Sequence, residues 1–235
     1  MILTAHQPSY LPWLGLFYKI SLCDSFCVFN EVQFEAKGFD NRNRIKTSHG
    51  VRRLTVPVHS AGKSRQLCKD VRIVNNQWQH KHLKTIRLAY SKAKFFNDYF
   101  GQIEEILLRR QYVFLADINF ELLSFGLKVF GLSPKIQWAH DFSFAGKKSE
   151  LVLDMCRQLG AQEYIFGGEG SNYADTASFK AAGIVPKFLT YQGVEYRQLH
   201  GPYVSGLSFI DLLFNEGPRS PRLLTESRAV ISVPE

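Results

Sequence analysis

His6 and Gln7 end a short apolar run and are followed at once by Pro8, Tyr10, Pro12 and Trp13. An imidazole that titrates near neutrality serves as a general acid or base, or holds a phosphate. In front of a rigid, aromatic turn, His6 reads as a catalytic candidate, with Gln7, Tyr10 and Trp13 shaping a substrate pocket; the competing role is a histidine satisfied inside the core. A second cluster is Asn41-Arg42-Asn43-Arg44 with Lys46. If extended, it sets Arg42, Arg44 and Lys46 on one side and the two asparagines on the other. Guanidinium forks match phosphate or carboxylate, so these five read as an anion site, against the alternative of a solvated charged loop. The third cluster is the loop Gly167-Gly168-Glu169-Gly170-Ser171-Asn172-Tyr173. A glycine-rich turn that opens a helix favours an anion, which makes Gly168 and Tyr173 binding candidates. It is neither GxGxxG nor a Walker pattern, and its glycines also suit a plain turn.

The elements that position these residues alternate between strand and helix. Residues 1–6 predict a buried strand, 13–23 an amphipathic helix and 25–33 a second strand, together a βαβ unit of a parallel sheet. Ligands of such sheets gather at the carboxyl ends of the strands. His6 and Gln7 end the first strand; Asn30, Glu31 and Gln33 end the second, so Asn30 and Gln33 join the binding candidates. Further strands are expected at 53–58, 70–74, 133–141, 163–167 and 185–192. Helices are expected at 77–93, 95–112, 116–131, 147–159, 173–182 and 208–217. The fold class is therefore α/β, a Rossmann-like parallel or mixed sheet. The nearly all-helical stretch 77–131 predicts an inserted or appended helical subdomain. Residues 1–218 read as one domain and 219–235 as a polar, partly loose tail.

Trp78-x-His80-x-His82 does not make a metal site: on a helix His80 faces away from His82, and no carboxylate accompanies them. HExxH and GxSxG are absent. Cys23, Cys27, Cys68 and Cys156 form no CxxC pair, which argues against a zinc ribbon or a disulfide framework and suits a reducing, cytoplasmic compartment. No signal peptide and no span of membrane length is evident. No cofactor is specified. The net charge of +8 is uneven: lysines and arginines crowd residues 37–94, opposed there only by Asp40 and Asp70. Such a segment suggests an anionic partner or a solvated face.

The succession HQPSYLPWLGLFYKI, Asp24-Ser-Phe, NEVQF, NRNRIKT and LTVPV resembles the WbqC-like protein family of bacteria. Trp78-x-x-Lys81-His82 with Ile86 and Ala89-Tyr90, then LGAQEYIFGGEGSNY and LSFIDLLFNEG, extend the resemblance over nearly the whole chain. GGEGSNY stands where the family more usually has a small-residue loop ending in tyrosine. The resemblance implies a place in polysaccharide and O-antigen biosynthesis, with transfer of an amino acid, glycine in particular, to an amino sugar. His82 enters the binding candidates with it. A weaker resemblance, of the first strand, histidine loop, helix and Asp24, is to the nucleotidylyltransferase and pantothenate synthetase group, although their second histidine three residues on is absent. Three functions stay open: a transferase using a nucleotide, nucleotide-sugar or activated acyl donor, with charged tRNA as one such donor; an ATP-using nucleotidyltransferase or ligase; and a non-enzymatic nucleic-acid-binding module.

Overall fold

A computed structural model describes residues 1–63 and 65–234. The main sheet uses β1 (Ile2–His6), β2 (Ser25–Val28), β5 (Lys135–Trp138), β6 (Glu163–Phe166), β7 (Val185–Gly193) and β8 (Arg228–Ser232). A separate hairpin pairs β3 (Arg42–Thr47) with β4 (Gly50–Thr55). The helices are α1 (Leu14–Ser21), α2 (Trp78–Tyr90), α3 (Phe96–Leu108), α4 (Leu115–Phe130), α5 (Ser149–Leu159), α6 (Thr176–Ala181), α7 (Phe209–Glu216) and α8 (Ser220–Thr225).

The strands lie in the order β5-β2-β1-β6-β7-β8. The first five are parallel and β8 runs antiparallel to β7. Counted along the sheet's own strands this is the 3-2-1-4-5-6 order of the Rossmann fold. The chain builds outward from β1 through β2 to β5, then returns to the other side of β1 to lay down β6, β7 and β8. The direction reverses between β1 and β6.

Side chains alternate between the faces of a strand, and the sheet uses both. Phe26 and Val28 enter a core formed with α1, the hairpin, α2, α3, α4, α7 and α8. Cys27 between them enters the opposite core, with Leu3 and Ala5 of β1, Val152 and Cys156 of α5 and Phe179 of α6. The helices α2, α3 and α4, expected to form a subdomain, share one continuous apolar cluster with α1, α7 and α8. Close approach at one point depends on a glycine: a Cβ on Gly126 of α4 would lie 2.2 Å from the Phe17 ring of α1. No helix among the described residues is long and apolar enough to cross a membrane.

Two expectations are corrected. The stretch 70–74 forms no strand; Arg72 and Ile73 make only single bridges, to Phe114 and Val58. The segment after 218, expected as a polar, partly loose tail, carries two regular elements. It forms α8, which buries Leu223 and Leu224, and then β8, paired from Gly193↔Arg228 to Phe188↔Ser232. Its Val230-Ile231 pair is β-branched and suits an edge strand.

Candidate functional site

A crevice of about 650 Å³ opens at the carboxyl ends of β1 and β6. It lies at the reversal point of the strand order, where open α/β sheets bind ligands, and its size suits a small molecule. The end of β1 supplies Ala5, His6 and Gln7; α1 and the residue before it supply Trp13, Gly15 and Lys19; the loop after β6 supplies Gly167, Gly168, Glu169, Gly170 and Tyr173; β7 supplies Tyr191. Of the residues singled out in the sequence, the crevice gathers His6, Gln7, Trp13, Gly168 and Tyr173.

His6 Nδ1 lies 2.7 Å from the Gln7 carbonyl oxygen. That oxygen only accepts, so Nδ1 carries the proton and Nε2 keeps its lone pair. The pKa of His6 falls to about 4, chiefly through burial and then through the Lys19 charge, against a smaller opposing effect of the Gln7 carbonyl. The imidazole is thus neutral at physiological pH. Lys19 is buried, and its Nζ donates to the Ala5 carbonyl oxygen at 2.9 Å; burial lowers its pKa to about 8. Trp13 sets its ring edge-on to Tyr191 at 5.7 Å between centroids. Gly15 makes room for it, since a Cβ there would lie 2.3 Å from the indole. Gly170 does the same for Phe166, whose Cβ would lie 2.4 Å from an added methyl. A Cβ on Gly167 or Gly168 would meet open space.

The remaining candidates lie outside the crevice. Tyr10, expected as a pocket wall, is fully buried. Its hydroxyl meets His82 Nδ1 at 2.9 Å and its ring meets Trp78 edge-on; a large ring at the turn gains more in the core than at the rim. His82 is likewise buried, and burial lowers its pKa to about 4. The hairpin cluster is extended with the alternation expected of it, yet its polar groups hold backbone. Asn41 Nδ2 donates to the Val56 carbonyl. Asn43 Nδ2 donates to the carbonyls of Leu11, at 2.7 Å, and Tyr10, steadying Leu11 at φ 45°, a conformation bulky residues avoid. Arg42 donates to Ala36 O, Arg44 to Gly206 O, and Lys46 Nζ to Gln198 Oε1 and the carbonyls of Gly201 and Pro202. Asn30 lines a different hollow, of about 540 Å³, at the ends of β2 and β5, where its Nδ2 donates to His140 Nδ1 at 2.7 Å. Gln33 is exposed and bridges to Leu67. Asp24 lies at the opposite, amino end of the sheet, where its carboxylate accepts the Ile2 N–H.

Lys19 and Tyr191 are crevice residues that sequence reasoning missed. A lysine near a helix end is ordinarily solvated; its position one turn before Cys23, on the stripe facing β1, was the available signal.

Fold and crevice together define a Rossmann-like α/β protein whose hollow lies at the reversal of strand order. Residues 7–223 match the WbqC-like protein family, and the chain belongs to that family. It is similar to "Uncharacterized protein Rv1507c" of Mycobacterium tuberculosis (strain ATCC 25618 / H37Rv), 32% identical over 223 residues that cover 94% of this chain and 96% of that protein. No solved structure gives a significant match.

Proposed function

We propose that this protein is a cytoplasmic transferase of bacterial surface-polysaccharide synthesis, joining an activated acyl group, glycyl foremost, to the amine of an amino sugar. The observation that carries the reading is His6 in a small-molecule crevice at the reversal of strand order, its Nδ1 held by the Gln7 carbonyl so that Nε2 is the nitrogen left to take a proton. In the reaction the amine nitrogen attacks the acyl carbon and the bond from that carbon to the leaving group breaks. The proton released by the nitrogen passes to His6 Nε2 and on to the leaving group. Trp13 and Tyr191 form a wall against which a sugar or base packs.

The test is transfer itself. Purified protein is given an amino sugar nucleotide with a glycyl donor, activated or carried on tRNA, and the amide product is followed by mass spectrometry. His6→Ala should lower the rate by about 100-fold or more while the melting temperature stays near that of the parent. An unchanged rate in His6→Ala ends the proposed role of His6.

The strand order favours a second reading in the same crevice, nucleotidyl transfer from ATP; release of pyrophosphate in place of an amide would identify it. A nucleic-acid role loses Arg42, Arg44 and Lys46, which serve backbone carbonyls, but keeps exposed cations such as Arg52, Arg53, Lys81 and Lys84; steeply salt-dependent binding of nucleic acid would identify it.

A further inference from the structure

Lys19 raises a question that the transfer reaction does not answer. It is 5% exposed, yet no carboxylate among the described residues makes an ion pair with it. One of its three N–H donors goes to Ala5 O. A buried cation without a counter-charge is costly to a fold, and a well-packed methionine there would be cheaper. A ligand that supplies the missing charge would offset that cost.

The surroundings of Lys19 say what kind of ligand. Cys23 on its own helix is a neutral thiol, its pKa pushed up to about 12 by burial. His6 of β1 is neutral as described. Tyr164 of β6, Tyr173 of the following loop and Tyr191 of β7 share the crevice and are all held in the phenol form by burial. The acids of the crevice are Glu35, Asp40 and Glu169; Asp40 is turned to the Glu35 N–H, which it accepts at 3.0 Å. Two aromatic rings are left open to solvent at the rims, Phe39 (47% exposed) and Tyr173 (41%). A buried cation that pairs with none of these acids, below exposed rings, suits an anion that carries a planar ring.

We infer that Lys19 is the anion-holding residue of the crevice, and that its ligand is a nucleotide or nucleotide-sugar whose phosphate meets the Lys19 ammonium while its ring lies against the aromatic rims. This places the phosphate on α1 instead of on the arginines of the hairpin. It rests on the crevice being the reacting site, as proposed above, but not on the reaction performed there. It also links binding to chemistry. The Lys19 charge is one of the causes that hold His6 low; an anion that neutralises it lets His6 rise, so the base strengthens as the substrate arrives.

The test is calorimetric binding of UDP, uridine and pyrophosphate to the full chain and to Lys19→Met. UDP should bind the parent tighter than uridine or pyrophosphate does. Lys19→Met should weaken UDP by about tenfold or more, change uridine by no more than about twofold, and melt no lower than the parent. The last result separates a ligand-holding lysine from a structural one, whose loss would lower the melting temperature. Equal UDP affinity in the two proteins, or no UDP binding by the parent, overturns the inference; pyrophosphate binding as tightly as UDP overturns its ring half. If Lys19→Met does not fold, reductive methylation of the parent decides: UDP should slow labelling of Lys19, and equal labelling overturns the inference. UDP binding through Lys19 without any transfer would remove the transferase reading alone. Normal transfer at normal KM by Lys19→Met would remove the present inference alone.

Discussion

His6 and His82 are two histidines held neutral by burial, and they differ in what they touch. His6 faces a crevice, whereas His82 is held by Tyr10 and the Thr55 backbone. The sign of the pH effect follows from the folded pKa of about 4 against an ordinary value of 6.5. Between those values the unfolded chain binds the proton and the folded chain does not, so stability falls as pH drops from 6.5 to 4. His82→Gln removes that proton: its denaturant-derived stability should decline less steeply across this window, by about 1.4 kcal/mol per pH unit. Parallel slopes for the two proteins would contradict the assigned burial. Residue types were legible in the sequence where a strand end exposes them, as at His6 and Gln7. They were not legible where tertiary contacts decide. Arg44 reads as a phosphate fork until Gly206 is brought beneath it, and Tyr10 reads as a pocket wall until His82 and Trp78 arrive from more than sixty residues away.

At the level of elements, α1 carries the most. It presents Lys19 and Leu16 toward the crevice and Phe17 into the core against Phe130 and Phe209. Gly126 on α4 is the counterpart that lets the Phe17 ring in. Two effects oppose one another at this position. Alanine is the better helix former, by about 1 kcal/mol, but its methyl would overlap a fully buried ring that has nowhere to go. Overpacking costs about 1–3 kcal/mol and is expected to win: Gly126→Ala should lower the denaturation midpoint, and a rise would mean that the ring yields. The strand–helix alternation was readable because its periodicities differ. The hairpin partner strand was read a few residues late, at 53–58 in place of Gly50–Thr55, since its outer face is exposed and basic and so lacks the apolar alternation of a half-buried strand.

Across the whole molecule, the crevice follows from topology: the sheet had to start at its centre for β1 and β6 to diverge above it. The sheet ends on one side in the short strand β8, which covers the outer edge of the longer β7. Unpaired edges recruit other chains. A chain ending at Glu226 should therefore elute as a larger species than the full chain in size-exclusion chromatography with light scattering, while an unchanged mass would show β7 to be protected without β8. The hairpin has a consequence of a different kind, in the order of synthesis. Lys46 and Arg44 leave the ribosome early, but the carbonyls that receive their side chains belong to Gly201, Pro202 and Gly206. For most of translation the nascent chain carries these cations without their acceptors. The hairpin that steadies Leu11 through Asn43 therefore has its cations satisfied only once residues 201–206 have been made, so its docking belongs to the end of synthesis.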